Sequence, residues 1–461
     1  MTKLKLLSYG SIDWVKIIGV ALVLATILNG SAFYLKRIGF INKKEYDAYW
    51  THHMAAGPYV CGTNYQQILR EQPVSKYLFE NKGKEIIFKM FKDFLTVGFI
   101  LLSLIVYQSK KEEIDFPRSA WPVFSLLLVV IAASVTTYLK QGGFFVLLGL
   151  RSFMFLFIAL LGMWFVRSRG MQFLAGCTAI LIVIQLLTTP FELIYGLPFN
   201  GCLCLPYDLQ TCLPARLAGT LVKPNSLGIF AICALAFYHD FSESKKYMGP
   251  LITATVLILL LSGSATGLIC MVVFLGTLVF GHLGRRYKTL SYTALIALLM
   301  IVLTLLPRLV GRPDLLNSLF GEKGRVEVLQ TVISSNSPYE SIFGNGIGYG
   351  TNAALNMFQR NYTGKTVFGH DAVPLRSDST ITAMFWQIGI IGVVLFYTML
   401  FLAMVRQNKA RLFYLTIILT SMTINITELF PVTFLLGVAL ASTFLTTNDV
   451  SRESVKQCQA A

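Results

Sequence analysis

The feature that most constrains this chain is a series of apolar runs bounded by charges or turn residues. They fall at roughly 15–35, 94–108, 121–139, 144–166, 172–190, 225–239, 248–261, 265–281, 290–306, 380–404, 412–427 and 431–447. A bilayer-crossing helix needs about 20 mostly apolar residues. Only 13% of the residues are charged, against about a quarter in soluble domains, so many segments cannot face water. The runs predict an all-α integral membrane protein of about twelve transmembrane helices. Several runs are short, and 94–108 extends backward through Phe88 and Phe91, with Lys89 and Lys92 reaching to the interface. The first run, Val15 to Tyr34, lacks a small-residue cleavage site and is expected to stay in the bilayer.

An even number of spans puts both ends on one side. Lys3, Lys5, Lys110, Lys111, Arg118, Arg167, Arg169, Lys245, Lys246, Arg285, Arg286, Lys288, Arg406, Lys409, Arg411, Arg452 and Lys456 fall in one set of loops and tails. The short loops of the other set hold Lys140, Arg216 and Lys223. The basic set is expected to be cytoplasmic, with both termini. Three regions follow. Residues 1–306 carry nine helices with an outside loop at about 36–93. Residues 307–379 form a large, partly helical periplasmic loop. Residues 380–461 carry three helices and a cytoplasmic tail. The net charge of +16 is then largely loop bias and attraction to anionic lipid, and no nucleic-acid partner is expected.

Cys61, Cys202, Cys204 and Cys212 all fall in outside segments, which suits a periplasm and at least one disulfide. The Cys202-x-Cys204 pair lacks a partner at zinc spacing, so no metal is expected. P-loop, Rossmann and nucleophile-elbow patterns are absent. Any chemistry must therefore belong to the bundle and its outside loops.

Some residues do not belong in lipid. Arg151 lies about eight residues into the fourth run, near the outer third of the bilayer at about 1.5 Å per residue. Charge at that depth snorkels to the head groups or faces a cavity, here an anion site. Arg216 lies outside, close to the membrane, before Pro224 and Asn225, which are good helix starters. Ser262-Gly263-Ser264 reads as a tight turn or as a close approach for a ligand. Gly324-Arg325 opens a segment with Val326, Leu329 and Ile333 at helical spacing. A cation is not favoured at a helix start, so a bound anion would explain Arg325. Gly344, Gly346, Gly348 and Gly350 form a glycine-rich turn. Asp378 stands at the start of the tenth span as an N-cap or a functional carboxylate. His370 is the one histidine of the large loop.

Taken in order, these pieces resemble the bacterial O-antigen ligase and O-antigen polymerase family. The matching residues are Arg216, Gly219, Pro224 and Asn225, then Ser262 to Ser264, then Gly324 and Arg325, then Gly344, Gly346 and Gly348, and finally Asp378 before Gly389 and Gly392. The chain departs from the family pattern at Ala265, where Arg is frequent, and at Asp378-Ser379, where the ligase branch has His. The second departure leans toward a polymerase. The resemblance implies metal-independent, cofactor-free glycosyl transfer at the periplasmic face of the inner membrane. The donor would be a glycan on undecaprenyl pyrophosphate, and the acceptor another lipid-linked repeat. A ligase or a protein O-glycosyltransferase differs only in the acceptor. A transporter without chemistry is the reading from another class, and no inverted repeat or broken helix is legible to favour it. Arg151, Arg216, Arg325, Asn225, Gly346 and Gly348 would hold the pyrophosphate, with Asp378 or His370 as general base. A membrane protein that regulates chain length is a further expected partner.

Overall fold

The computed structural model describes residues 13–37, 83–110, 118–167, 169–194, 217–221, 224–281, 325–351 and 379–444. These residues are all-helical, with no strand among them. Every apolar run except 290–306, which lies outside the described residues, carries a helix. Among the described residues five helices are long and apolar enough to cross a membrane: Met90–Gln108, Trp121–Gln141, Gly143–Leu161, Gly170–Thr188 and Thr380–Arg406. The other apolar helices, such as Met248–Ser262, Arg411–Ser421 and Val432–Phe444, are shorter.

Two helices form the centre. Pro224–Phe241 buries nearly every side chain from Ser226 to Tyr238, and Val432–Phe444 is buried throughout. A helix that is apolar on all sides belongs in the interior. The first packs against Gly170–Ile194, Met248–Ser262 and Arg411–Ser421, and the second against Met154–Leu161. Small residues allow the close approaches. A Cβ on Gly228 would meet the Ser264 side chain at 2.2 Å, and one on Gly437 would meet Ile158 at 2.7 Å. Around this core the long helices turn apolar side chains outward, with Leu128 and Leu147 each 66% exposed. Such a sheath suits lipid contact.

Several boundaries differ from the sequence reading. The helix expected over 94–108 does extend backward through Phe91 and Phe88, and it goes further, to Gly83, so the end of the segment read as an outside loop at 36–93 is helical. Lys92 donates to Asn29 Oδ1 at 3.0 Å, joining the first two helices rather than only reaching to the interface. The 412–427 run stops being α-helical at Ser421. There, hydroxyls take over the backbone groups: Thr380 Oγ1 donates to the Ile424 carbonyl at 2.8 Å and accepts from Ile426 N–H at 3.0 Å. Thr433 Oγ1 donates to the Ile426 carbonyl at 2.9 Å.

Two long helices are interrupted, which the sequence reading did not foresee. Gly143–Leu150 and Met154–Leu161 are separated by a 3₁₀ turn at Arg151–Phe153. Thr380–Arg406 is kinked at Gly389, whose φ 64°, ψ −170° is not helical. That conformation is essentially confined to glycine.

Candidate functional site

The interruption at Arg151 builds a cleft. Its lining carries Lys92, Asp93, Arg151, Thr427 and Glu428 together with the apolar Met154, Ile158, Phe430 and Phe434. Arg151 Nε pairs with Asp93 Oδ1 at 2.8 Å, with both side chains partly exposed. Arg151 therefore has a carboxylate partner that neither sequence alternative, snorkelling or an anion site, included. The cleft holds two cations and two carboxylates, so its formal charge is balanced. A strong anion site here needs further cations, or needs Asp93 displaced from Arg151. Sequence reading missed Asp93 and Glu428. Their signal was positional, since both are acids bracketing apolar runs on the side of the bundle opposite the basic loops.

Glu428 lies on the short Ile426–Glu428 turn, held by the Thr380 and Thr433 hydroxyls. The same network anchors the start of the Thr380–Arg406 helix beside the cleft. The N-cap of that helix is Ser379, whose Oγ accepts from Thr382 N–H at 3.2 Å. Asp378 is therefore not the cap that the sequence suggested. Asp378 and His370 themselves lie outside the described residues, as do Arg216 and the four outside cysteines. The described cysteines, Cys177, Cys233 and Cys270, are buried free thiols.

The run before the sixth apolar segment folds inward. Gly219 takes φ 54°, and a Cβ there would meet Gln185 Oε1 at 2.3 Å. Gln185 accepts from Thr220 N–H at 2.9 Å and donates to Thr220 Oγ1 at 2.6 Å. Pro224 opens the next helix, as its fixed φ favours, and Asn225 follows it half-buried. Ser262 to Ser264 is a buried helix-to-helix turn. Gly263 is left-handed at φ 56°, and Ser264 Oγ accepts from Gly267 N–H at 3.3 Å.

Arg325 begins the Arg325–Ser335 helix. Its expected apolar stripe is corrected: Val326 and Ile333 are exposed, and among its described side chains Val332 is the buried one, beside Phe145, Tyr349, Phe385 and Trp386. The glycine-rich turn follows the Pro338–Phe343 helix and packs on the Gly389 kink. The kink frees two carbonyls, and Asn345 N–H donates to Trp386 O at 2.8 Å while Gly346 N–H donates to Gln387 O at 3.0 Å. Gly348 N–H donates to Gln387 Oε1 at 3.0 Å. The Gly346 and Gly348 amides thus already have protein acceptors, and these glycines serve close packing: Cβ atoms there would meet Thr137 Oγ1 at 2.4 Å and Phe145 at 2.8 Å. Lys140 faces Glu340 at 3.7 Å and Gln141 donates to Tyr349 Oη at 3.2 Å, tying this segment to the Trp121–Gln141 helix.

Arg151, the Gln185–Thr220 contact, the glycine turn and the Ser379 cap thus lie toward one end of the bundle. At the other end Arg406 donates to the Ser119 carbonyl at 2.7 Å, and Asp240 accepts from Phe413 N–H at 2.8 Å. Among the described residues no group of His, Cys, Asp and Glu could hold a metal ion. Comparison with protein-family models and with curated proteins finds no match to this chain.

Proposed function

We propose that the chain polymerises undecaprenyl-pyrophosphate-linked oligosaccharide repeats into O-antigen or a related surface polysaccharide. It does so at the periplasmic face of a bacterial inner membrane, from a bundle of about twelve spans with both termini cytoplasmic. One observation carries the reading. The glycine-rich turn packs on Gly149, two residues before Arg151, and the start of the Thr380–Arg406 helix bonds the backbone at Ile424 and Ile426, next to Thr427 and Glu428, so both reach the neighbourhood of a cleft lined by charged and apolar side chains. Such a lining suits an amphiphile, with Met154, Ile158, Phe430 and Phe434 against the lipid chain and Arg151 and Lys92 toward phosphate oxygens. The charge-balanced cleft needs further cations, and Arg216 and Arg325 are the candidates that the resemblance offers.

The reaction is a single displacement. The acceptor hydroxyl oxygen bonds to the anomeric carbon of the donor sugar as the bond from that carbon to the phosphate oxygen breaks. Undecaprenyl pyrophosphate leaves with the electron pair, and its growing charge is stabilised by guanidinium groups. The hydroxyl proton passes to Asp378, with His370 as the competing base. A ligase or protein O-glycosyltransferase would use the same steps with another acceptor. The interrupted helices at Arg151 and Gly389 favour a transporter as the second reading.

Purified protein in nanodiscs, supplied with lipid-linked repeats, tests the proposal. Arg216→Ala and Arg325→Ala should each lower polymerisation at least about 100-fold, the usual loss of one preorganised charge-stabilising group. Arg→Lys should rescue poorly, because a point charge does not reproduce the planar fork, and Arg360→Ala serves as control. Wild-type rates in both alanine variants would refute the clamp. A wild-type protein that moves repeats across the bilayer without joining them would establish the transporter.

A further inference from the structure

We propose that residues 338–350 of the large loop form a re-entrant segment that dips into the membrane at the Arg151 end of the bundle, with Tyr339, Ile342 and Phe343 against lipid chains. Three independent contacts set its depth. The backbone at Ile342 and Phe343 lies against Gly389, where a Cβ would meet Ile342 O at 2.2 Å. Gly389 is about nine residues into the Thr380–Arg406 helix, or about 13 Å from its start at 1.5 Å per residue. Gly346 lies against Thr137, about 6 Å before the end of the Trp121–Gln141 helix. Gly348 N is 2.6 Å from where a Cβ on Gly149 would stand, about 9 Å inside the Gly143–Leu161 span. All three spans therefore meet the loop several ångströms inside their own ends.

Backbone at that depth must find its hydrogen bonds within the protein, and six groups of the turn do. The N–H groups of Gly344, Asn345, Gly346 and Gly348 donate to Glu340 O, Trp386 O, Gln387 O and Gln387 Oε1. The carbonyls of Ile347 and Gly348 accept from Thr137 Oγ1 at 3.1 Å and Thr351 Oγ1 at 2.6 Å. Residues 346–351 are buried. The Pro338–Phe343 helix is the opposite case. None of its residues is buried, and Tyr339, Ile342 and Phe343 are 62%, 43% and 50% exposed. Leu139, Phe144 and Leu147, on the spans that this segment packs against, are exposed as well. The Lys140–Glu340 pair, at the end of a span, marks the head-group level, and aromatic side chains just below it fit the interfacial belt. Lipid is the occupant because the segment packs on spans that turn their own apolar side chains outward. The placement holds whether or not the chain transfers sugars.

Photo-crosslinking in phospholipid nanodiscs tests it. p-Benzoylphenylalanine is incorporated in turn at Tyr339, Ile342 and Phe343, with Leu139 as the lipid-facing reference and Lys246 as the aqueous one. After irradiation, mass spectrometry of the monodisperse protein should find phospholipid adducts at two or more of the three loop positions, within about threefold of the Leu139 yield. Adduct levels like those at Lys246, or crosslinks to a second copy of the chain in place of lipid, would overturn the proposal. Using three positions keeps the test decisive if one substitution prevents folding.

Discussion

Replacing Gly389 with alanine should release the glycine-rich turn from the bundle. At φ 64°, ψ −170° a residue with a Cβ carries about 1–3 kcal/mol of backbone strain. The new methyl would also stand 2.2 Å from the Ile342 carbonyl oxygen, a contact that only movement of the backbone can relieve. If the helix straightens, Trp386 O and Gln387 O turn back to their own helix, and the bonds from Asn345 and Gly346 are lost. Each contributes about 1 kcal/mol net. The docked state should therefore weaken by about 3 kcal/mol, which is on the order of a 100-fold increase in opening. Hydrogen exchange by mass spectrometry, in detergent or nanodiscs, reads this on the amides of Asn345 and Gly346. Gly98→Ala is the control, because nothing lies within 4 Å of a Cβ at that position. A change below about threefold in Gly389→Ala, or an equal change in Gly98→Ala, would refute the account of the kink.

Two further outcomes follow from the same geometry. Because Ser379 caps the Thr380–Arg406 helix, Asp378→Asn should leave thermal stability unchanged while polymerisation falls about 100- to 10,000-fold, the range for loss of a general base. Near wild-type activity in Asp378→Asn, with collapse in His370→Ala, moves the role to His370. Glu340 concerns pH. Burial raises its carboxyl, but the Ser337 N–H and hydroxyl together with Lys140 outweigh that and hold it below the ordinary glutamate range. A depressed folded-state pKa means that its stabilisation is present above about pH 4–5 and disappears as pH falls through the folded-state value. Glu340→Gln should therefore unfold at a lower temperature than wild type at pH 7, and the gap should close in acid. A gap that is constant with pH would count against the pairing.

The sequence by itself determined the helical, membrane-embedded class and the approximate position of nearly every described helix. Hydropathy settles that one run at a time, because a helix satisfies its own backbone and needs only a length of apolar residues. It also marked Arg151, the Gly344–Gly350 turn and the helix starting at Arg325, since charge in an apolar run and clustered glycines are local anomalies. The tertiary structure alone decided what those residues touch. Asp93 neutralises Arg151 across about sixty residues of chain, and no spacing rule connects them. Ser379 rather than Asp378 caps its helix, because two adjacent residues are both good caps and only the backbone turn selects one. The kink at Gly389 could not be read locally, since glycine is tolerated within transmembrane helices and becomes a break only where another backbone arrives to take the freed carbonyls. That arriving backbone is the glycine-rich turn, whose Gly346 and Gly348 the resemblance assigns to pyrophosphate and whose amides are engaged by Trp386 and Gln387 in the fold. Short-range patterns fix which segments are helical, whereas long-range pairing fixes which polar groups remain available for chemistry.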